Sequence, residues 1–258
     1  MKRRRLFRNL TLAAAVLVIV FFEVAKPALS PDPQRNAMLT VLITRLTGAA
    51  AVFLLLPEAP MRGGRTHGKK AILTLTLAAL VSLNNAPWIG LLTGEARVTA
   101  PFSDGLLLAA ESLAIGLFEE LAFRGLLFPA VLEKCRGSVF RAVFLSSLLF
   151  ALVHLVNLAE DAPGAVVMQV GYSFLIGGMC AVILLEWGSV WLCALLHAVY
   201  DFGGALVPRL GEGRVWDPIT VALTAVLGLA AAAVFVRILL REDEAERSSG
   251  GGEGSESA

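Results

Sequence analysis

FEELAFRG, residues 118–125, sets two adjacent carboxylic acids and an arginine in the middle of an apolar run. Charge deep in a bilayer costs roughly 3 to more than 10 kcal/mol per group. Either the run does not span a membrane, or the charges do something there that lowers their cost. The surrounding composition favours the second reading. The chain has 258 residues, 57% of them hydrophobic and 17% charged, with a mean hydropathy of +0.74. A soluble chain of that length fills its core with less apolar residue.

The apolar residues come in blocks of membrane-spanning length. Eight candidate spans can be drawn at about 9–25, 38–56, 71–93, 105–132, 139–157, 164–185, 189–207 and 218–240, each near the ~20 residues that cross a hydrocarbon core. The connections are short and barrel-strand alternation is absent, so the expected fold class is all-α, a polytopic membrane protein of about eight helices. Residues 1–240 read as one integral-membrane domain, and 241–258, polar and rich in Gly and Ser, as a disordered cytoplasmic tail. The first block follows MKRRRLFR but no clear cleavage site follows it, so it reads as a retained helix rather than a signal peptide. With the N-terminus inside, fifteen of the 22 basic residues fall on the inner side, five outside, and Arg45 and Arg124 in the membrane. That bias supports N-in, C-in. A net charge of +1 gives no general attraction to nucleic acid.

Residues four apart share a helix face, so Glu120 and Arg124 are placed to form an ion pair that lowers their burial cost. Glu119, about 100° away, has no partner on its own helix. A carboxylate left free beside a compensated pair suits proton chemistry. A buried salt bridge that locks helix packing fits the motif equally well. Of three histidines, two lie in apolar blocks, His154 at the end of FALVH and His197 at the start of HAVYD. Phe150 lies one turn before His154, where its ring can pack on the imidazole. Asp201 lies one turn after His197, within reach to hold its tautomer. His67, in the basic loop MRGGRTHGKK, reads as a solvated bystander. Cys135, Cys180 and Cys193 have no metal-ligand spacing and read as small packing residues.

Three motifs stand in order: Glu119-Glu120-x-x-x-Arg124, Phe150-x-x-x-His154 and His197-x-x-x-Asp201. With them the chain resembles the CAAX protease and bacteriocin-processing family (CPBP, or Abi) of intramembrane endopeptidases, over about residues 105–207. Some members have Asn where this chain has Asp201. The resemblance implies that Glu119 and His154 activate a water, that His197, steadied by Asp201, stabilises the oxyanion, and that Glu120, Arg124 and Phe150 support the site. It implies no cofactor. A zinc-dependent version, with Glu119, His154 and His197 as ligands, is the rival mechanism. The implied substrate is a membrane-anchored protein or peptide cut near its C-terminus, as in sorting-signal or CAAX-like processing.

His154 lies about six residues past the centre of its block, roughly 9 Å toward the outer face. A cavity reaching the outer leaflet suits substrates with a C-terminal transmembrane tail. The basic N-terminus and short loops suit a prokaryotic inner membrane. Two readings of other classes remain: a non-catalytic scaffold or immunity protein, and a proton-relaying transporter. Against the transporter there is no internal repeat; the likeliest helix break is Ala86-Pro87-Trp88, after Asn84 and Asn85, whose side chains are candidates to bond neighbouring helices. Glu23, Arg45 and Glu111 are further intramembrane charges, with Arg45 and Glu111 candidates to pair with one another or to line a wet cavity.

Overall fold

A computed structural model describes residues 2–56, 68–136 and 138–250, with the side chains of 2–8, 23 and 245–250 outside the description. His67, residues 251–258 and the side chain of Glu23 therefore lie outside the described residues. The helices in chain order are α1 (Lys2–Ala25), α2 (Pro33–Phe53), α3 (Lys69–Asn84), α4 (Trp88–Thr93), α5 (Phe102–Glu120), α6 (Phe128–Lys134), α7 (Val139–Val153), α8 (Pro163–Trp187), α9 (Val190–Leu210) and α10 (Pro218–Gly250). Five stretches, Pro33–Phe53, Val139–Ala159, Pro163–Trp187, Val190–Leu210 and Pro218–Glu244, are long and apolar enough to cross a membrane. Large apolar side chains face outward, among them Leu92, Met168 and Leu229 at 72–85% exposure, as in a protein solvated by lipid.

Local chemistry sets the helix ends. Asp32 caps α2, accepting from the Arg35 amide at 2.8 Å, and Pro33 occupies the first turn. Gly188, with φ +62°, ends α8 in a conformation that side chains resist. Ser189 then caps α9 through the Leu192 amide. The block expected as one span at 71–93 is two helices, because the chain breaks at Asn85–Pro87. Both asparagines bond neighbouring helices as expected, Asn84 to Thr224 of α10 at 2.7 Å and Asn85 to the Tyr200 carbonyl of α9 at 2.8 Å.

Contacts sort the helix ends into two sets. At one end Arg35 pairs with Asp104, Arg209 with Glu111 and Arg97 with Glu212. At the other, Lys70 pairs with Glu186 and Glu242, and Asp243 accepts from the Ser138 hydroxyl and the Val139 and Phe140 amides. Trp88 and Trp216 lie at the first end, Trp187 and Trp191 at the second, placing aromatic residues toward both interfaces. The apolar core lies chiefly among α3, α7, α8, α9 and α10 and contains Met179, Ile183, Phe235 and the fully buried Cys180 and Cys193.

Several expectations are refined or corrected. The all-α class holds, with one short ribbon added to it: β1 (Ala96–Val98) and β2 (Gly211–Gly213) pair antiparallel where two loops cross. Gly213, at φ +105°, allows that close approach. The polar tail does not begin at 241 as loose chain. The last helix continues to Gly250, and Glu242 and Asp243 dock on Lys70 and on the free amides of the α7 N-terminus. Glu111 pairs with Arg209 at 2.7 Å rather than with Arg45, whose guanidinium lies over the Phe118 ring instead.

Candidate active site

Glu119 and Glu120 end α5, and the chain continues directly into a π-helical turn, Leu121–Leu127, that contains Arg124. Such wide turns are frequent at functional sites. Arg124 still reaches back to Glu120 at 3.1 Å, so the expected pair is present, with the two side chains 2% and 0% exposed. Its second amino group donates to the Gly177 carbonyl of α8 at 2.7 Å, and its charge lies 4.6 Å from the centre of the Phe150 ring.

Close helix packing brings the rest of the site in. A Cβ on Gly116 would lie 2.6 Å from the Ala194 carbonyl oxygen, so only glycine permits this approach of α5 to α9. One turn further along α5, Glu120 Oε1 accepts from His197 Nδ1 at 2.8 Å. Phe150 is the hub: its ring meets His154 at 5.1 Å and His197 at 5.8 Å between centroids, both edge-on. His154 stands where α7 passes into a 3₁₀ turn, and its Nδ1–H donates to the Phe150 carbonyl at 2.8 Å. A carbonyl only accepts, so the neutral ring keeps its lone pair on Nε2.

One partner is added. Asp201 lies beside His197 as expected, but the shorter contact to that ring comes from Glu120. The nitrogen nearest the backbone is taken by the carboxylate from the neighbouring helix, while Asp201, one turn along α9, reaches the distal nitrogen. His197 Nε2 thus faces Asp201 at 3.5 Å and Glu119 at 3.8 Å. Glu119 and Asp201 are also the accessible edge of the cluster, with side chains 19% and 26% exposed against 0% for Glu120 and 7% for His197. Among the described residues no carboxylate lies within 4.0 Å of His154. Nor, among the described residues, do three His, Cys, Asp or Glu side chains converge as a metal's ligand set.

Residues 101–203 match the family model described as type II CAAX prenyl endopeptidase Rce1-like. Over that stretch, about two-fifths of the chain, the protein is similar to the Rce1-like family. The match runs from the start of α5 into α9 and includes all three motifs, in agreement with the CPBP resemblance. The Rce1-like family is one of CAAX-type peptide hydrolases, and the apolar helices make this an integral membrane protein. No curated protein and no solved structure matches the chain.

Two supporting residues of the Rce1-like core escape motif reading, Gly116 and Gly177. Their only sequence signal is a small residue inside an otherwise bulky apolar block. Gly116→Ala is expected to cost about 1–3 kcal/mol, the usual range for overpacking, and to lower activity by drawing Glu120 off His197. Thermal unfolding and peptidase assays on the purified variant check this; a fully active Gly116→Ala would show that the α5–α9 approach is not needed.

Proposed function

We propose that the chain is an intramembrane glutamic endopeptidase that cuts membrane-anchored proteins near their C-termini, using a water activated by Glu119 and His154. One observation carries the reading. His197 is held through Nδ1 by Glu120 and turns Nε2 toward two accessible carboxylates, Glu119 and Asp201.

In this mechanism His154 Nε2 accepts a hydrogen bond from the water and Glu119 takes its proton as the oxygen attacks the scissile carbonyl carbon. Negative charge then develops on the carbonyl oxygen. His197 can donate to it only from a protonated Nε2, because Glu120 already engages Nδ1–H. Glu119 and Asp201, at 3.8 and 3.5 Å, are the carboxylates that Nε2 faces before substrate enters. As the C–N bond breaks, Glu119 returns the proton to the departing amine, so one water is consumed and no covalent enzyme intermediate forms. Arg124 and Phe150 keep Glu120 and both imidazoles in place.

Asp201, the more exposed of the two carboxylates, lies one turn along α9 from His197 toward the β1–β2 ribbon, the outer end in the N-in arrangement. This favours a substrate entering from that leaflet with its C-terminal segment in the membrane. The test compares membrane proteomes of cells carrying the wild-type protein or Glu119→Gln. Proteins shortened at the C-terminus should occur only with the wild type; identical proteomes would count against the reading. Once such a substrate is in hand, cleavage is expected to persist in excess 1,10-phenanthroline. Loss of cleavage that added zinc restores would replace this mechanism with the metal-dependent one.

A further inference from the structure

A groove of about 570 Å³ lies between the first turns of α3 and residues 234–242 of α10, toward the end of the bundle away from the ribbon. Four cations line it, Lys69, Lys70, Arg237 and Arg241. Lys70 is balanced by Glu186 at 2.7 Å and by Glu242. Lys69, Arg237 and Arg241 have no carboxylate within 4.0 Å among the described residues. The start of α3 adds to the positive field, since its cap is Gly68, which offers no side-chain oxygen to the first-turn amides.

The walls change character with depth. Leu73 lies one turn into the bundle from Lys69, and Val234 and Ile238 lie inward of Arg241 on α10. Arg237 and Arg241 are four apart and share a face. Cations at the rim over apolar walls match a molecule with an anionic head and a hydrocarbon tail. The bias of basic residues assigns this end to the cytoplasmic face, where basic pockets between helices bind anionic head groups.

We propose that this groove binds one anionic phospholipid, its phosphate at Lys69, Arg237, Arg241 and the α3 N-terminus, and an acyl chain along Leu73, Val234 and Ile238. A free phosphate would use the rim and leave the apolar walls without a role. The site is separate from the catalytic cluster, so it stands or falls independently of the proteolytic reading.

The test is native mass spectrometry of the full chain in neutral detergent with equimolar dioleoylphosphatidylglycerol and dioleoylphosphatidylcholine. One phosphatidylglycerol per chain is expected, retained about tenfold over phosphatidylcholine and not displaced by excess inorganic phosphate. Each of Arg237→Gln and Arg241→Gln should weaken retention about fivefold. The Arg237→Lys/Arg241→Lys variant keeps both charges and is expected to keep the lipid. Leu73→Trp, which fills the apolar wall, should lower retention with no change in charge. Equal retention of the two lipids, or unchanged retention in the Arg→Gln variants, would overturn the proposal. So would displacement by phosphate, which would reassign the groove to small anions.

Discussion

Glu119→Gln is expected to lower peptide hydrolysis by about a hundredfold to ten-thousandfold, the usual contribution of a positioned acid–base group, while leaving the fold intact. The two expectations separate because Glu119 is 19% exposed and its nearest recorded partner, His197 Nε2, is 3.8 Å away. Glutamine fills the same volume but cannot take a proton from water or return one to the amine. The decisive measurement is single-turnover cleavage by the purified variant, beside its thermal unfolding curve. A scaffold or immunity role predicts no change in function for Glu119→Gln or His154→Ala. Full activity in either variant would therefore remove the proteolytic mechanism.

Arg124→Leu should destabilise the protein by about 3–5 kcal/mol, because it leaves the buried Glu120 carboxylate without its arginine and with only His197 Nδ1 to hold it. Glu120 is fully buried, and its Oε2 has no hydrogen-bond partner among the described residues. Removing the arginine also removes the donor to the Gly177 carbonyl and the cation over Phe150. Adding Glu120→Gln to Arg124→Leu is expected to recover part of the loss, since the stranded charge goes with it. The same double variant should stay inactive, because a neutral amide does not hold His197 as the carboxylate does. Denaturation of the two single variants and the double variant measures the coupling. Additive effects would mean that the Glu120–Arg124 contact is incidental to stability.

Much of this protein is local and was legible residue by residue. The Glu120–Arg124 pair, the packing of Phe150 on His154 and the break at Ala86–Trp88 each involve residues within one or two helical turns. There the 3.6-residue period fixes who can touch whom. Contacts beyond that range carry no such signal. Asp201 meets His197 from one turn away, yet the other ring nitrogen is held by Glu120, 77 residues away in sequence. Glu111 found Arg209 rather than Arg45, and the tail residues Glu242 and Asp243 found Lys70 and the α7 amides. Composition draws eight candidate spans, where five stretches among the described residues are long and apolar enough to cross, and the paired loops β1 and β2 carry no periodicity to reveal them.

By itself, then, the sequence determined a lipid-embedded helical chain, the three motifs on separate helices and the contacts inside each motif. Only the tertiary structure decided which carboxylate serves which imidazole nitrogen. A helix specifies its own faces through backbone geometry alone. Which face meets which partner depends on where two backbones can approach, and here that is set by single glycines, Gly116 against Ala194 and Gly177 beside Arg124 and Phe150.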